Sequence, residues 1–171
     1  MTDEALMLCI KNDDLDKAAI IYDRYKQKLF NFFLFKNHLN RELSNDSVQQ
    51  VFYRMIKYRK SYNEVYDFSK WIYGIAKNIH NQDINARKKA ESLQSNYRVE
   101  EVYEIHNDDH AALRQAIEKL PEPYRETLLM SKFLQMKYEE IAELNNCSVG
   151  VIKTRVFRAV KMLREVYLKI I

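Results

Sequence analysis

An all-α protein, built as two small helical domains joined by a linker, is what this 171-residue sequence predicts. Three observations carry that expectation. The chain has only 2 Gly and 2 Pro, too little punctuation for the tight turns of a sandwich, a barrel or a doubly wound sheet. Apolar residues recur at helical spacing in two blocks, one on each side of residues 91–110. Between the blocks that period fades and acidic residues take over. The expected division is a first domain over residues 1–90, an acidic linker over 91–110 and a second domain over 111–171.

The first expected helix runs from Asp14 to His38, with Asp14 or Asp16 as N-cap. Its apolar residues are Ala18, Ile21, Tyr22, Tyr25, Leu29, Phe32, Phe33 and Leu39. Ser44 or Asn45 should cap the second helix, where Val48, Val51, Phe52, Met55 and Ile56 keep the i, i+3, i+4, i+7 pattern. The opposite side of that helix shows Asp46, Gln49, Gln50, Tyr53 and Lys57. A loop over Ser61–Asp67 leads to a third helix whose buried side carries Phe68, Trp71, Ile72, Ile75, Ile79 and Ile84. Three such helices can close one small core.

The second block begins with a short helix bearing Leu113, Ile117 and Leu120, stopped by Pro121 and Pro123. Tyr124–Phe133 forms another helix, and Tyr138–Leu144 a third. The turn Asn145-Asn146-Cys147 follows, with Asn146 able to take the left-handed conformation. Ser148 then caps a long helix. Together these have the pattern of a helix-turn-helix. Small Ala142 allows a close crossing, which Ile141, Leu144, Val149 and Ile152 should fill. Val149, Ile152, Val156, Val160 and Leu163 are expected to face inward along the long helix. Lys153, Thr154, Phe157, Arg158 and Lys161 then face out. A helix about 10–12 Å across fits a major groove about 12 Å wide. There Arg and Lys can bond guanine edges, and Thr and Phe can touch thymine methyls. Gly150 leaves room for a phosphate.

The charge distribution agrees with a polyanionic partner. The formal net charge is +4. Residues 1–67 carry about +1, 68–89 about +4, 90–110 about −5 and 111–171 about +4. Two basic surfaces with an acidic connection between them suit two contacts to nucleic acid, since clustered Lys and Arg gain affinity by releasing counterions.

Other classes find no support. No apolar run approaches the ~20 residues that cross a bilayer, and the acidic start Met1-Thr2-Asp3-Glu4 is unlike a secretory signal, so no membrane insertion and a cytoplasmic location are expected. Neither Gly74 nor Gly150 has a second Gly near enough for a phosphate loop. Cys9 and Cys147 lack metal-ligand spacing, and His106 and His110 have no accompanying ligand set, so no metal is expected. No nucleophile, acid–base pair or cofactor motif stands out. The expectation is a protein that is not an enzyme and needs no cofactor.

Leu120-Pro121-Glu122-Pro123-Tyr124-Arg125-Glu126, followed by the helix-turn-helix, resembles region 4 of the sigma-70 family of bacterial transcription initiation factors. Asp46-Ser47-Val48-Gln49-Gln50-Val51-Phe52 and Phe68-Ser69-Lys70-Trp71-Ile72-Tyr73-Gly74-Ile75-Ala76-Lys77-Asn78 resemble region 2. The two regions joined directly are similar to the extracytoplasmic-function (ECF) subgroup, and the resemblance spans nearly the whole chain. It implies a factor that binds core RNA polymerase through the clamp helices of the largest subunit and the flap of the second-largest, and directs it to promoter DNA. By motif match Asp46, Gln49, Gln50 and Tyr53 would meet the clamp; Gln50 stands where the family usually has an acidic residue. Asn78 and Gln82 would hold a flipped base of the −10 element as melted single strand, with Lys77, Arg87 and Lys88 near its backbone. The loop Tyr62-Asn63-Glu64-Val65-Tyr66 would set base preference, with a place in the core as the alternative for its two Tyr residues. Lys153, Thr154, Phe157, Arg158 and Lys161 would read the −35 element as duplex. An anti-sigma factor is a further implied partner. Two other readings stay open on the residues alone: a regulator that uses only the C-terminal helix-turn-helix, and a helical adaptor that binds protein and no DNA.

Overall fold

A computed structural model describes residues 1–93 and 111–171. Eight α-helices make up the described chain, and no strand occurs among the described residues. The first of them was not foreseen. Helix α1 (Asp3–Lys11) is capped by Thr2, whose Oγ1 accepts from the Ala5 N–H at 3.2 Å, and it buries Leu6, Met7 and Ile10. A 3-10 turn over Leu15–Lys17 intervenes before α2 (Ala18–Lys36), so neither Asp14 nor Asp16 caps α2 as expected. Ile21, Tyr25, Leu29, Phe32 and Phe33 form the buried stripe of α2.

Left-handed backbone at His38 (φ 51°) and Leu39 (φ 65°) turns the chain into α3 (Arg41–Lys57). Asn40, rather than Ser44 or Asn45, is the cap: its Oδ1 accepts from the Leu43 N–H at 2.9 Å. Ser44 and Ser47 lie one and two turns into α3 and are buried, facing the buried Asn37 amide at the end of α2. Helix formation therefore begins a turn early, because Asn40 supplies the cap and the two serine hydroxyls, already inside the helix, donate to the Asn40 and Leu43 carbonyls.

Helix α4 (Phe68–Leu93) follows a 3-10 turn (Arg59–Ser61) and a loop over residues 62–67. It buries Phe68, Ile72, Tyr73, Ala76 and Ile79 against α1, α2 and α3. Trp71 packs edge-on to Tyr62, ring centroids 5.2 Å apart, on the apolar side as expected. Each fully buried Phe, Leu or Ile here contributes about 1.5–3 kcal/mol.

Helices α5 (Ala111–Glu118), α6 (Glu122–Lys132), α7 (Tyr138–Leu144) and α8 (Val149–Ile170) form the second group. Helix α8 is its axis, with α5, α6 and α7 packed round it. Pro121 caps α6, and Gln135 (φ 54°) redirects the chain into α7. The expected linker falls almost wholly on residues 94–110, outside the described residues, as do His106 and His110.

The two groups pack against each other. Ile117, Leu129, Met130, Leu134 and Ile141 join the same apolar core as the buried residues of α1–α4. The rings of Phe35 and Phe133 meet across the seam at 5.5 Å.

Candidate nucleic-acid interface

The turn between α7 and α8 is built from local chemistry. Glu140, buried although charged, accepts from the Lys137 backbone N–H at 2.6 Å and so satisfies the start of α7. Asn145 closes the other end, its Nδ2 donating to the Ile141 carbonyl at 2.8 Å. Asn146 adopts φ 49°, and the Cys147 N–H reaches back to the Ala142 carbonyl at 3.0 Å. Ser148 caps α8, its Oγ accepting from the Val151 N–H. The positive end of the α8 dipole and its unpaired N–H groups are thereby presented at one surface.

Ile152, Val156 and Ala159 turn inward from α8, with Val149 and Leu163 partly buried beside them. Val160 does not face inward as expected: it is 46% exposed, and Ala159 takes its place. The difference is geometric. Ala159 follows Ile152 by seven residues, two turns along the same line, whereas eight residues rotate Val160 about 80° past it. Lys153, Thr154, Phe157, Arg158 and Lys161 all lie exposed, Phe157 at 72%. The Thr154 hydroxyl donates to the Gly150 carbonyl at 2.9 Å, which leaves its oxygen free to accept. A shallow groove beside this face is lined by Tyr124, Ser148, Gly150, Val151, Arg155 and Arg158. Tyr124 and Arg155 were not among the residues expected to touch DNA. Tyr124 comes from α6, so only the tertiary packing brings it here.

A second polar surface runs along α4. Asn78 and Gln82 are exposed one turn apart, and the Gln82 Oε1 accepts from Arg54 at 2.7 Å. Lys77 and Lys88 sit about a quarter-turn round the helix from Asn78, and Arg87 about half a turn round. Thus the three cations do not share one face with the two amides. Lys77 is half-buried and lines a cavity of about 150 Å³ with Phe32, Lys36, His80, Glu122 and Glu126.

Tyr62 does not belong to the exposed loop surface. It is 1% exposed, its ring packed on Phe68 and Trp71, so no base can reach it. Its hydroxyl instead donates to the Tyr66 carbonyl at 3.1 Å. Asn63 is exposed, and its Oδ1 accepts from the Val65 N–H. On α3, Asp46, Gln49, Gln50 and Tyr53 are all exposed at i, i+3, i+4 and i+7, a single strip on the far side from the core.

The seam between the two groups is electrostatically defined. Lys36, with 7% of its side chain exposed, bonds Glu122 and lies 3.7 Å from Glu126. Tyr73 donates to Glu126 at 2.7 Å, Ser69 to Glu140, and Lys70 pairs with Glu143. Burial pushes the Glu122 carboxyl up, but hydrogen bonds from Lys36 and Arg125 outweigh it and hold it at about 2. Burial, reinforced by the Lys36 charge, pushes the His80 imidazole down to about 4. Its Nδ1 is buried without a hydrogen-bond partner among the described residues.

Among the described residues no group of three or more His, Cys, Asp or Glu side chains is placed to hold a metal ion. No helix of the described chain is long and apolar enough to cross a membrane.

The family model described as sigma-70, region 4, matches residues 110–163, which span the helix-turn-helix. Over nearly the whole chain the protein is similar to two curated relatives. One is the ECF RNA polymerase sigma-E factor of Haemophilus influenzae, 25% identical, covering 96% of this chain and 95% of the relative. The other is the ECF RNA polymerase sigma factor SigW of Bacillus subtilis, 27% identical, covering 91% of each. Among solved structures the fold resembles CnrH in its complex with the cytosolic domain of CnrY, with TM-score 0.69, 16% identity and 95% of each chain covered. It also resembles the Bartonella quintana sigma factor RpoE in complex with the anti-sigma factor NepR, with TM-score 0.61 and 19% identity over 85% of this chain and 95% of that one.

Proposed function

The chain belongs to the ECF group of the sigma-70 family, and from that premise we propose that it directs core RNA polymerase to specific promoters by reading two separated DNA elements. The exposed face of α8 reads the −35 element as duplex, with Arg158 and Lys153 at base edges and Phe157 against a thymine methyl. The α8 N-terminus and Arg155 take phosphates beside it. Asn78, Gln82 and the exposed tip of the loop over residues 62–67 capture bases of the −10 element as single strand. Lys77 and Lys88, a quarter-turn round α4 from Asn78, follow the strand's backbone, whereas Arg87, half a turn round, stays off that path. The strip Asp46, Gln49, Gln50 and Tyr53 docks on the clamp helices of the largest subunit, with Gln50 contributing hydrogen bonding in place of charge, while the second group rests on the flap. An anti-sigma factor is the proposed inhibitory partner, as in the RpoE–NepR complex.

The observation that carries this reading is the exposed basic face of α8 on one helical group and the polar stripe of α4 on the other. The −35 and −10 elements are roughly 25 base pairs apart, or ~85 Å at ~3.4 Å per step. A packed chain of 171 residues has a radius of gyration of about 16 Å and spans about 40 Å. Reading both elements at once therefore requires the two groups to part at their seam, with the residues between α4 and α5 as tether. The test is transcription by purified core enzyme plus this chain on a randomised promoter library. The proposal expects enrichment at two positions a fixed distance apart. Initiation indistinguishable from core enzyme alone would overturn it.

A further inference from the structure

Helix α1 has no part in the surfaces above, yet two of its side chains, Glu4 and Lys11, reach the two ends of one loop, residues 62–67. At the loop's entry the Lys11 ammonium donates to the Tyr62 carbonyl at 2.7 Å. Just before it, Asp13 bonds both Arg59, at 2.9 and 3.0 Å, and Lys60, at 2.8 Å. Lys60 also donates to the Lys11 carbonyl at 2.6 Å. At the loop's exit the Glu4 carboxylate accepts from the Phe68 N–H at 3.1 Å, satisfying one of the open donors at the start of α4. Asp3 anchors the same end of α1 to Arg24 and Tyr25 on α2, so the clamp is itself braced.

Between these fixed ends the tip is ordered internally and open outward. The Val65 N–H bonds Asn63 Oδ1 and the Tyr66 N–H bonds the Asn63 carbonyl, both at 3.1 Å. Val65 and Tyr66 are exposed, and the Lys70 ammonium lies 4.9 Å from the Tyr66 ring centroid. A loop that discriminates bases must hold its side chains to within a fraction of an ångström, and a loop free at either end cannot do so.

We propose that Glu4 and Lys11 of α1 are positioning residues for base recognition, clamping the two ends of this loop so that Asn63, Val65 and Tyr66 meet the melted strand in one geometry. This rests on the promoter-reading function above. Tyr66, with the Lys70 cation near its ring, replaces the buried Tyr62 as the aromatic available to a base.

The test uses the full chain with core polymerase on two libraries, one randomised in the −10 element and one in the −35 element. Lys11→Met removes the ammonium and keeps the stem; Lys11→Arg restores a donor. Glu4→Leu removes the acceptor at the exit. The expected result for Lys11→Met is about tenfold weaker discrimination at the −10 bases met by the loop, the size of one lost charge-assisted hydrogen bond. Preference within the −35 element stays as in wild type, and Lys11→Arg recovers most of the loss. A readout independent of transcription is amide hydrogen exchange: the Val65 and Tyr66 N–H groups should exchange several-fold faster in Lys11→Met. If Glu4→Leu fails to fold, Lys11→Met and its rescue still decide the matter. Unchanged −10 discrimination and unchanged exchange in Lys11→Met would overturn the proposal and leave the function standing. Equal loss for both elements would also overturn it, since that marks a global defect. Failure of the wild-type chain to start transcription would overturn the function and this proposal with it.

Discussion

Tyr73→Phe and Glu126→Ala, made singly and together, weigh the seam between the two helical groups. Tyr73 is 1% exposed, and its hydroxyl donates to Glu126 Oε1 at 2.7 Å across a separation of 53 residues. Burial and the nearby Glu126 carboxylate raise the phenol's pKa well above its usual value, so it stays a donor at any working pH. Removing Glu126 strands that buried hydroxyl, a loss of about 1–3 kcal/mol. It also takes away one of the two carboxylates near Lys36, though Glu122 still pairs with it. Tyr73→Phe should cost less, about 0.5–1.5 kcal/mol, because Glu126 is partly exposed and keeps Lys36 nearby. If phenol and carboxylate meet as described, the two losses do not add. The double variant should fall short of the sum by about 1–2 kcal/mol. Urea unfolding of the four proteins gives that coupling, and small-angle scattering shows whether the radius of gyration rises above about 16 Å. A coupling below about 0.3 kcal/mol, with a larger radius already in wild type, would refute the packing of the two groups in solution.

The other predictions concern the proposed DNA contacts and the response to acid. Arg158→Ala should cost ~1–3 kcal/mol at one −35 base pair if the guanidinium reads a base edge, measured by competition among single-substituted promoters; equal loss on every sequence would make it a phosphate contact. Asn78→Ala should reduce open-complex yield, followed by permanganate reactivity, more than it reduces initial closed binding. A Cβ added at Gly150 would meet only Ser148 Oγ, at 3.8 Å. Gly150→Ala should therefore keep the fold and add up to about 1 kcal/mol of stability in thermal melts, while weakening promoter binding if a phosphate approaches there. His80, held at about 4 when folded against an ordinary 6.5, binds its proton more readily in the unfolded chain. Its stabilising contribution is whole above pH 6.5 and is lost as pH falls toward 4, so His80→Leu should flatten the urea midpoint over that window. Glu122, held at about 2 against an ordinary 4.5, gives a separate loss between those values.

Much of this molecule is legible in the sequence. Thr2 before two acidic residues, with Leu6, Met7 and Ile10 on one side, is a readable helix start, but nine residues fall below the length at which periodicity stands out. Ser44 has the chemistry of a cap and the sequence neighbours of one. What removes it from that role is Asn40, four residues earlier, which caps α3 and leaves the Ser44 hydroxyl donating to its carbonyl. Tyr62 is a similar case: an aromatic in a polar loop has the same local pattern whether it stacks on a base or on Trp71. Among the residues proposed to touch DNA, those on α8 are the most readable, since one helix carries all of them and its phase follows from its own apolar stripe.

The sequence alone determined seven of the eight α-helices, the capped turn between α7 and α8 and the basic outer face of α8. Those features depend on groups within a turn or two of each other, where residue type and spacing decide the outcome. Tertiary structure alone decided which tyrosine stays free, that α1 braces a loop some 50 residues away, and that Lys36 meets Glu122 across a separation of 86 residues. Such contacts arise because buried donors and charges must find partners wherever the packed helices bring them, and no local pattern records where that will be.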